Sequence, residues 1–299
     1  MKDQFWDTPL RITKLFISMG FFLYSQAGNV IRSLMGRKPL GACVAIHYHA
    51  VALQHRTRFA RQMNTLMLHA TPIAGDHKQP LQPGQRYVVV TFDDGFVSAI
   101  DNAVPELVQR RIPMTFFVAA GLLGTVPRWA EFGRAGIGEE IIATADRLRE
   151  LPCDLITIGS HTMTHPLLIS LSEDEAKIEL SASRAALKKL LNRDIKLFSF
   201  PYGAFNERLI EICREVGYER VFTVLPKPAF TDPQEFVTGR IAVNPTDWEL
   251  EFRLKILGAY QWLPRAIAWK QKLLGRHFHE YPKASGVKKG TRSALYGIN

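Results

Sequence analysis

From Cys43 onward the chain alternates: short apolar runs rich in Val, Ile and Phe give way to stretches with helical periodicity, and three of these runs end in a polar cluster. Residues 87–92, 114–119, a run ending at 160, and residues 196–200, 220–224 and 240–243 read as strands. Between them, residues 56–68, 97–110, 138–150, 172–191 and 206–216 read as helices, one of them opened by a capping box of Ser172 with Glu175. Strands that alternate with helices of this length predict a parallel α/β domain. All three polar clusters follow strands, and the carboxyl ends of strands are where α/β barrels and open α/β sheets alike place their sites.

The first cluster is Thr91-Phe92-Asp93-Asp94-Gly95, after Val88-Val89-Val90. Two adjacent carboxylates at a buried strand end repel, which costs free energy unless a cation or a reacting proton separates their roles. A plain turn would also end a strand with Asp and Gly. The second cluster, Gly159-Ser160-His161-Thr162-Met163-Thr164-His165, favours the metal reading, because imidazoles at i and i+4 can reach one ion from a helical turn or a tight loop. One Asp and two His leave a coordination position open for water, as in a catalytic metal site. The third cluster, Phe198-Ser199-Phe200-Pro201-Tyr202-Gly203, stops a strand with Pro and Gly and on its own is a turn.

In this order the clusters resemble the motifs of the polysaccharide deacetylases, carbohydrate esterases that share the NodB homology domain, over residues 41–248. The resemblance implies an irregular (β/α) barrel. It also implies a hydrolase that removes N-acetyl groups from an N-acetylated sugar of a polysaccharide or lipid-linked glycan precursor, as in exopolysaccharide biosynthesis. The carbon–nitrogen amide bond would be cut with a divalent metal, zinc first among the transition metals. Position by position, it makes Asp93 the general base, Asp94, His161 and His165 the metal ligands, and Tyr202 the donor of a backbone N–H to the oxyanion.

The sequence departs from the family pattern in two places. After His165 the remaining histidines are His277 and His279, in a basic tail, so the usual acid near the end of the domain is missing. Instead, a β-run from Cys43 closes on Tyr48-His49. It resembles a permuted subgroup, including biofilm poly-N-acetylglucosamine deacetylases, in which the catalytic His strand comes first. His49 is then the implied acid, although His47 shares its strand face. Ahead of Pro201, Phe198-Ser199-Phe200 stand where the family carries an Arg that steadies the base; Arg240 is the candidate substitute. Asp247-Trp248 resembles an Asp-Trp pair that lines the pocket in relatives. A member that binds carbohydrate or lipid without turnover would also suit these departures.

The 299 residues carry a net charge of +10, a balance that suggests nucleic acid when it is spread along one face. Here it sits at the ends: residues 265–299 hold eight Lys or Arg against one Glu, residues 1–40 six against two Asp, and the stretch between is at −1. A neutral domain without a nucleic-acid motif argues against groove binding. Basic ends suit peripheral contact with an anionic membrane, a glycolipid substrate, or simple solvated tails. Residues 15–24 form an apolar segment too short to span a bilayer comfortably. Ser25 and Ala27 stand where a signal peptide could be cut, but Asp3 and Asp7 in a long leading segment favour an interfacial or docking helix. With Trp6 before it and Arg32, Arg37 and Lys38 after it, that helix is expected at a cytoplasmic membrane face or against the domain, a secreted or periplasmic location being the lesser expectation.

The organisation expected is therefore a docking helix over residues 1–40, the deacetylase-like domain over 41–248, and a basic helical extension over 249–299. In the last, residues 250–274 read as one or two amphipathic helices broken at Gly258 and Pro264, with Lys255, Arg265, Lys270 and Lys272 on a basic side, and residues 281–299 as a poorly ordered tail. Cys43, Cys153 and Cys213 form neither a CxxC nor an even set, so no disulfide framework is expected.

Overall fold

A computed structural model describes residues 8–39, 41–127 and 140–273. Its strands are β1 (Ala42–Tyr48), β2 (Thr71–Pro72), β3 (Arg86–Phe92), β4 (Met114–Val118), β5 (Ile156–Ser160), β6 (Leu197–Ser199), β7 (Arg220–Thr223) and β8 (Val237–Ala242). β1 pairs with both β3 and β8, so seven parallel strands close into a (β/α) barrel in the order β1-β3-β4-β5-β6-β7-β8. The two-residue β2 lies on β3 at Tyr87 and Val88, below the point where β4 takes over the same edge. The first strand of the chain thus fills the gap between the last and the third.

Alternation along these strands sorts side chains into two cores. Val44, Ile46, Tyr48, Val88, Val90, Phe92, Phe116, Ile158, Phe198 and Val221 belong to the larger apolar cluster shared with the helices. Their sequence neighbours Cys43, Ala45, Val89, Phe117, Leu197 and Phe222 form a separate cluster, which the alternation puts inside the barrel. Continuing the inward series upward reaches His47 on β1 and His49 just after it, Thr91 on β3 and Asp93 just after it, His161 after β5, Ser199 on β6 and Arg240 on β8. Above its apolar floor, therefore, the lumen is polar. Gly159 is required on β5, because a Cβ there would come within 2.5 Å of the Phe117 ring.

Around the barrel run α1 (Thr8–Leu34), α2 (Arg56–His69), α3 (Val97–Asn102), α4 (Val104–Gln109), α5 (Ala145–Arg149), α6 (Glu173–Leu191), α7 (Glu207–Val216), α8 (Glu249–Ile256) and α9 (Leu263–Leu273). The capping box of Ser172 and Glu175 opens α6 as expected, a motif whose N-cap is typically worth ~1 kcal/mol.

Several elements differ from the sequence reading for definable reasons. The helix expected over 97–110 is two, because Pro105 has no N–H to give the Asp101 carbonyl and instead sits in the first turn of α4. The helix expected from 138 starts only at Ala145, capped by Thr144. Ile142 is extended in a bridge to Phe96, and residues 138–139 lie outside the described residues. The stretch from 250 agrees with its reading: it forms two helices, with Gly258, at φ +79°, after α8 and Pro264 in the first turn of α9.

Lys255 is not on a solvated basic side: it is buried, 2.8 Å from Asp247 and 3.1 Å from Glu251. Phe252, Leu254, Ile256 and Tyr260 belong to the main core, against which Leu15, Met19 and Phe22 of α1 also pack. Among the described residues no helix is long and apolar enough to cross a membrane. Cys43 and Cys213 are buried free thiols and Cys153 an exposed one. Trp6, His277, His279 and the 281–299 tail lie outside the described residues.

Candidate active site

The chain leaves β3 directly into Asp93-Asp94, and the two buried carboxylates face different partners. Asp93 accepts two parallel hydrogen bonds from Arg240, Nη1 to Oδ1 at 2.7 Å and Nη2 to Oδ2 at 2.8 Å. Arg240 is fully buried. Its other N–H groups reach Thr91 Oγ1 at 2.8 Å, Ser199 Oγ at 2.7 Å and the Thr223 carbonyl at 3.3 Å. All five guanidinium donors are thereby satisfied by residues at or beside β3, β6 and β7, as a charge this deep in a barrel requires. The guanidinium also stands over the Phe117 and Phe222 rings at 5.4 and 5.7 Å. Burial alone would push the Asp93 carboxyl up. The Arg240 guanidinium, aided by His161 and His47, outweighs burial and holds it far below the usual carboxylate range.

Asp94 turns away at φ +72° and meets the imidazoles. Its Oδ1 is 3.5 Å from His161 Nε2 and 3.2 Å from His165 Nε2, and one donor atom from each residue lies within 4.8 Å of the others. His161 Nδ1 is 2.8 Å from the Ser199 carbonyl, which can only accept, so Nδ1 carries a proton and Nε2 is the ring atom turned to Asp94. Burial raises the Asp94 carboxyl, but hydrogen bonds to His161 and His165 hold it well below its usual range, while burial lowers the His165 imidazole. An anionic carboxylate and neutral imidazoles are the ligating forms, and their converging lone pairs need a cation between them. The donor set fits a divalent metal ion such as zinc.

The loop bearing the histidines is clamped from α6: Glu179 accepts from the Met163 and Thr164 N–H groups at 2.9 and 3.0 Å and from Thr164 Oγ1 at 2.7 Å. Asp94, Thr162, His165 and Tyr202 all have φ between +58° and +72°. They are four of the seven non-glycine residues with positive φ among those described, and their concentration here marks a site whose backbone is held by its surroundings. Tyr202 lies in the Pro201–Gly203 turn, with its ring edge-on to His165 at 4.7 Å between centroids.

β1 brings His47 and His49 to the other side of Asp93. The three residues form a second cluster with one donor atom each within 4.8 Å, and the two rings stand edge to face 5.6 Å apart. His47 is only 4% exposed, whereas His49 is half-buried at the mouth. Asp247, expected to line the pocket, has its carboxylate engaged by Lys255 and by the Asn244 N–H at 3.1 Å, and Trp248 lies 4.3 Å under the Arg11 guanidinium. The structure therefore brings Asp93, Asp94, His161, His165, Arg240, His47, His49 and Tyr202 to one end of the barrel. The sequence reading had passed over three supports. Ser199 and Thr91 stand inside the quoted motifs as lone hydroxyls in apolar strands, a usable signal; Glu179, fourteen residues beyond His165, gives none.

Residues 81–221 match the family model described as polysaccharide deacetylase. That span takes in both carboxylates, the His pair and Tyr202, and excludes β1 with its histidines and Arg240 on β8. Among curated relatives, the chain is 25% identical over 167 residues to YxkH of Bacillus subtilis, named "Putative polysaccharide deacetylase", covering 56% of this chain and 55% of that one. It is 24% identical over 180 residues to poly-beta-1,6-N-acetyl-D-glucosamine N-deacetylase of Staphylococcus aureus, covering 55% and 57%. These matches span little more than half the length of the curated relatives. The structure of IcaB from Ammonifex degensii superposes with a TM-score of 0.60 at 25% identity, over 74% of this chain and 97% of that one. In its motif order, its barrel and these matches, the chain is similar to the polysaccharide deacetylases, with residues 81–221 matching the family model itself.

Proposed function

We propose that the protein is a metal-dependent de-N-acetylase acting on an N-acetylated sugar of a polysaccharide or lipid-linked glycan. The observation that carries this reading is the division of labour between neighbouring carboxylates: Asp93 is clamped by a guanidinium while Asp94 faces two imidazoles. Asp94, His161 and His165 would hold the ion, zinc being the first candidate. When bound there, a divalent ion polarises the amide carbonyl and acidifies water.

The residues of the chain do the rest. Asp93, kept anionic and fixed in direction by Arg240, removes the proton from the attacking water. The Tyr202 backbone N–H donates to the developing oxyanion; such a donor is worth roughly 3–4 kcal/mol in related chemistry. His49 delivers a proton to the departing sugar amine. Its half-exposed position at the mouth suits it to that step better than the buried His47. The missing Arg had favoured a non-catalytic binder; with Arg240 against Asp93 that motive lapses. The Staphylococcus aureus relative supports poly-N-acetylglucosamine as the first substrate to try.

The test is acetate release from N-acetylglucosamine oligomers and lipid-linked N-acetyl sugars. Release is expected to stop on chelation and return with added zinc or another divalent ion. Equal release by the chelated enzyme, or by Asp94→Ala, would refute the reading.

A further inference from the structure

The N-terminal helix α1 is buried on one side only. Leu15, Ser18, Met19 and Phe22 face the domain, with the Trp262 indole donating to Ser18 Oγ at 2.9 Å and Arg11 Nε to Glu251 at 2.7 Å. At 100° per residue a stripe beside that face, at Phe16, Leu23, Val30 and Leu34, and two residues opposite it, Tyr24 and Ile31, stay in solvent, at 72%, 60%, 58%, 83%, 78% and 52% exposure. Such a continuous apolar stripe on a helix of ~40 Å costs free energy in water and marks a docking surface. A second exposed aromatic, Trp269 at 68%, stands on α9, the helix that follows the Trp262 bonded to Ser18.

Charge selects the occupant. Arg11 is already paired with Glu251, but Arg32, Arg37 and Lys38 lie at the far end of α1 and just beyond it, and Arg265 and Lys272 on α9, in stretches with no Asp or Glu. A second copy seated on this face would bring two such basic sets together with no acid to answer them. An anionic lipid surface answers them all. Apolar residues flanked by Trp, Tyr and basic side chains are what a helix lying in a bilayer interface presents.

We infer that the exposed side of α1, together with α9, seats the barrel on an anionic membrane surface. α1 runs the height of the barrel. At one end Arg86, which opens β3, donates to Gln26 at 3.3 Å; at the other, Arg11 donates to the Thr246 carbonyl at 3.3 Å, just beyond the carboxyl end of β8. The barrel axis thus lies along the lipid surface, and the end bearing Asp93 and Asp94 opens beside the head of α1, within reach of a glycan carried on lipid.

Vesicle flotation of the full chain tests this without any dependence on turnover. Wild type is expected to float with phosphatidylglycerol-containing vesicles and to stay down with pure phosphatidylcholine or at high salt. Phe16→Asp/Leu23→Asp, both at exposed positions, should keep the wild-type melting temperature and bind about tenfold less or worse. Arg265→Glu/Lys272→Glu should weaken binding to anionic vesicles. Wild-type protein that ignores anionic vesicles, or the aspartate variant floating as well as wild type, would overturn the inference. So would a wild-type dimer that the aspartate variant dissociates, which would put a second copy on the face. If the aspartate variant fails to fold, the lipid and salt arms on wild type still decide.

Discussion

The Asp94–His161–His165 cluster and the Asp93–Arg240 pair begin one residue apart and are built in opposite ways. The cluster is local: its members sit in two loops beyond β3 and β5, Asp94 and His165 at positive φ, steadied by Glu179 and the Ser199 carbonyl. The pair is global, since Arg240 comes from 147 residues away and spends its donors at or beside β3, β6 and β7. Loops can be exchanged without dismantling a barrel, but a bidentate pair inside the lumen cannot. The difference teaches that damage to the cluster should cost chemistry, whereas damage to the pair should cost chemistry and fold together.

Turnover gives the largest expected effect. Asp94→Ala should reduce acetate release by about a thousandfold or more, the scale of losing Lewis-acid assistance. Asp93→Asn should reduce it by roughly 10²–10⁴, the scale of a general base. Near-wild-type rates for either, in a steady-state acetate assay, would break the assignment of that carboxylate.

Stability separates the halves next. Arg240→Met strands a buried carboxylate and should cost ~3–5 kcal/mol in urea unfolding. Adding Asp93→Asn to it should recover part of that loss, because no charge is then left unpaired. An Arg240→Met protein as stable as wild type would show that the pair is not built into the barrel. The Asp94→Ala protein, by contrast, should unfold near the wild-type midpoint.

Ser199 sharpens the comparison, because its hydroxyl serves the pair and its carbonyl serves His161. Ser199→Ala removes an acceptor for one Arg240 N–H and should cost ~1–3 kcal/mol, leaving the His161 bond and metal content intact. Loss of metal from this variant would mean that the two halves are not separable.

The smallest effect is in pH. Arg240 sets the folded pKa of Asp93 below the unfolded value of 3.8, so the pair's contribution is full above that value and declines as pH falls below it toward the folded pKa. The stability gap between wild type and Arg240→Met should therefore narrow on acidification, first above about pH 4, where the variant's buried and unpaired Asp93 takes up a proton, and further below it, where wild type loses the pair. A gap that widens there would reverse the sign of the argument.

The same contrast explains what was legible beforehand. Asp93, Asp94, His161 and His165 announce themselves because each cluster is contiguous and ends an apolar run; alternation predicts parallel strands in an α/β domain, and the barrel follows from the family resemblance. Arg240 could be guessed only from an absence before Pro201, since no local pattern reveals which distant strand closes beside β1. Lys255 read as a surface cation because helical spacing does not disclose that Asp247 and Glu251 wait beneath it. Pro105, plainly visible, was outweighed by the apolar periodicity around it.

The division of duties between the two neighbouring carboxylates is tested most directly by elemental analysis of purified Asp93→Asn and Asp94→Ala beside wild type. About one divalent ion per chain is expected in wild type and in Asp93→Asn, and none in Asp94→Ala. An ion retained by Asp94→Ala, or lost from a folded Asp93→Asn, would contradict that division.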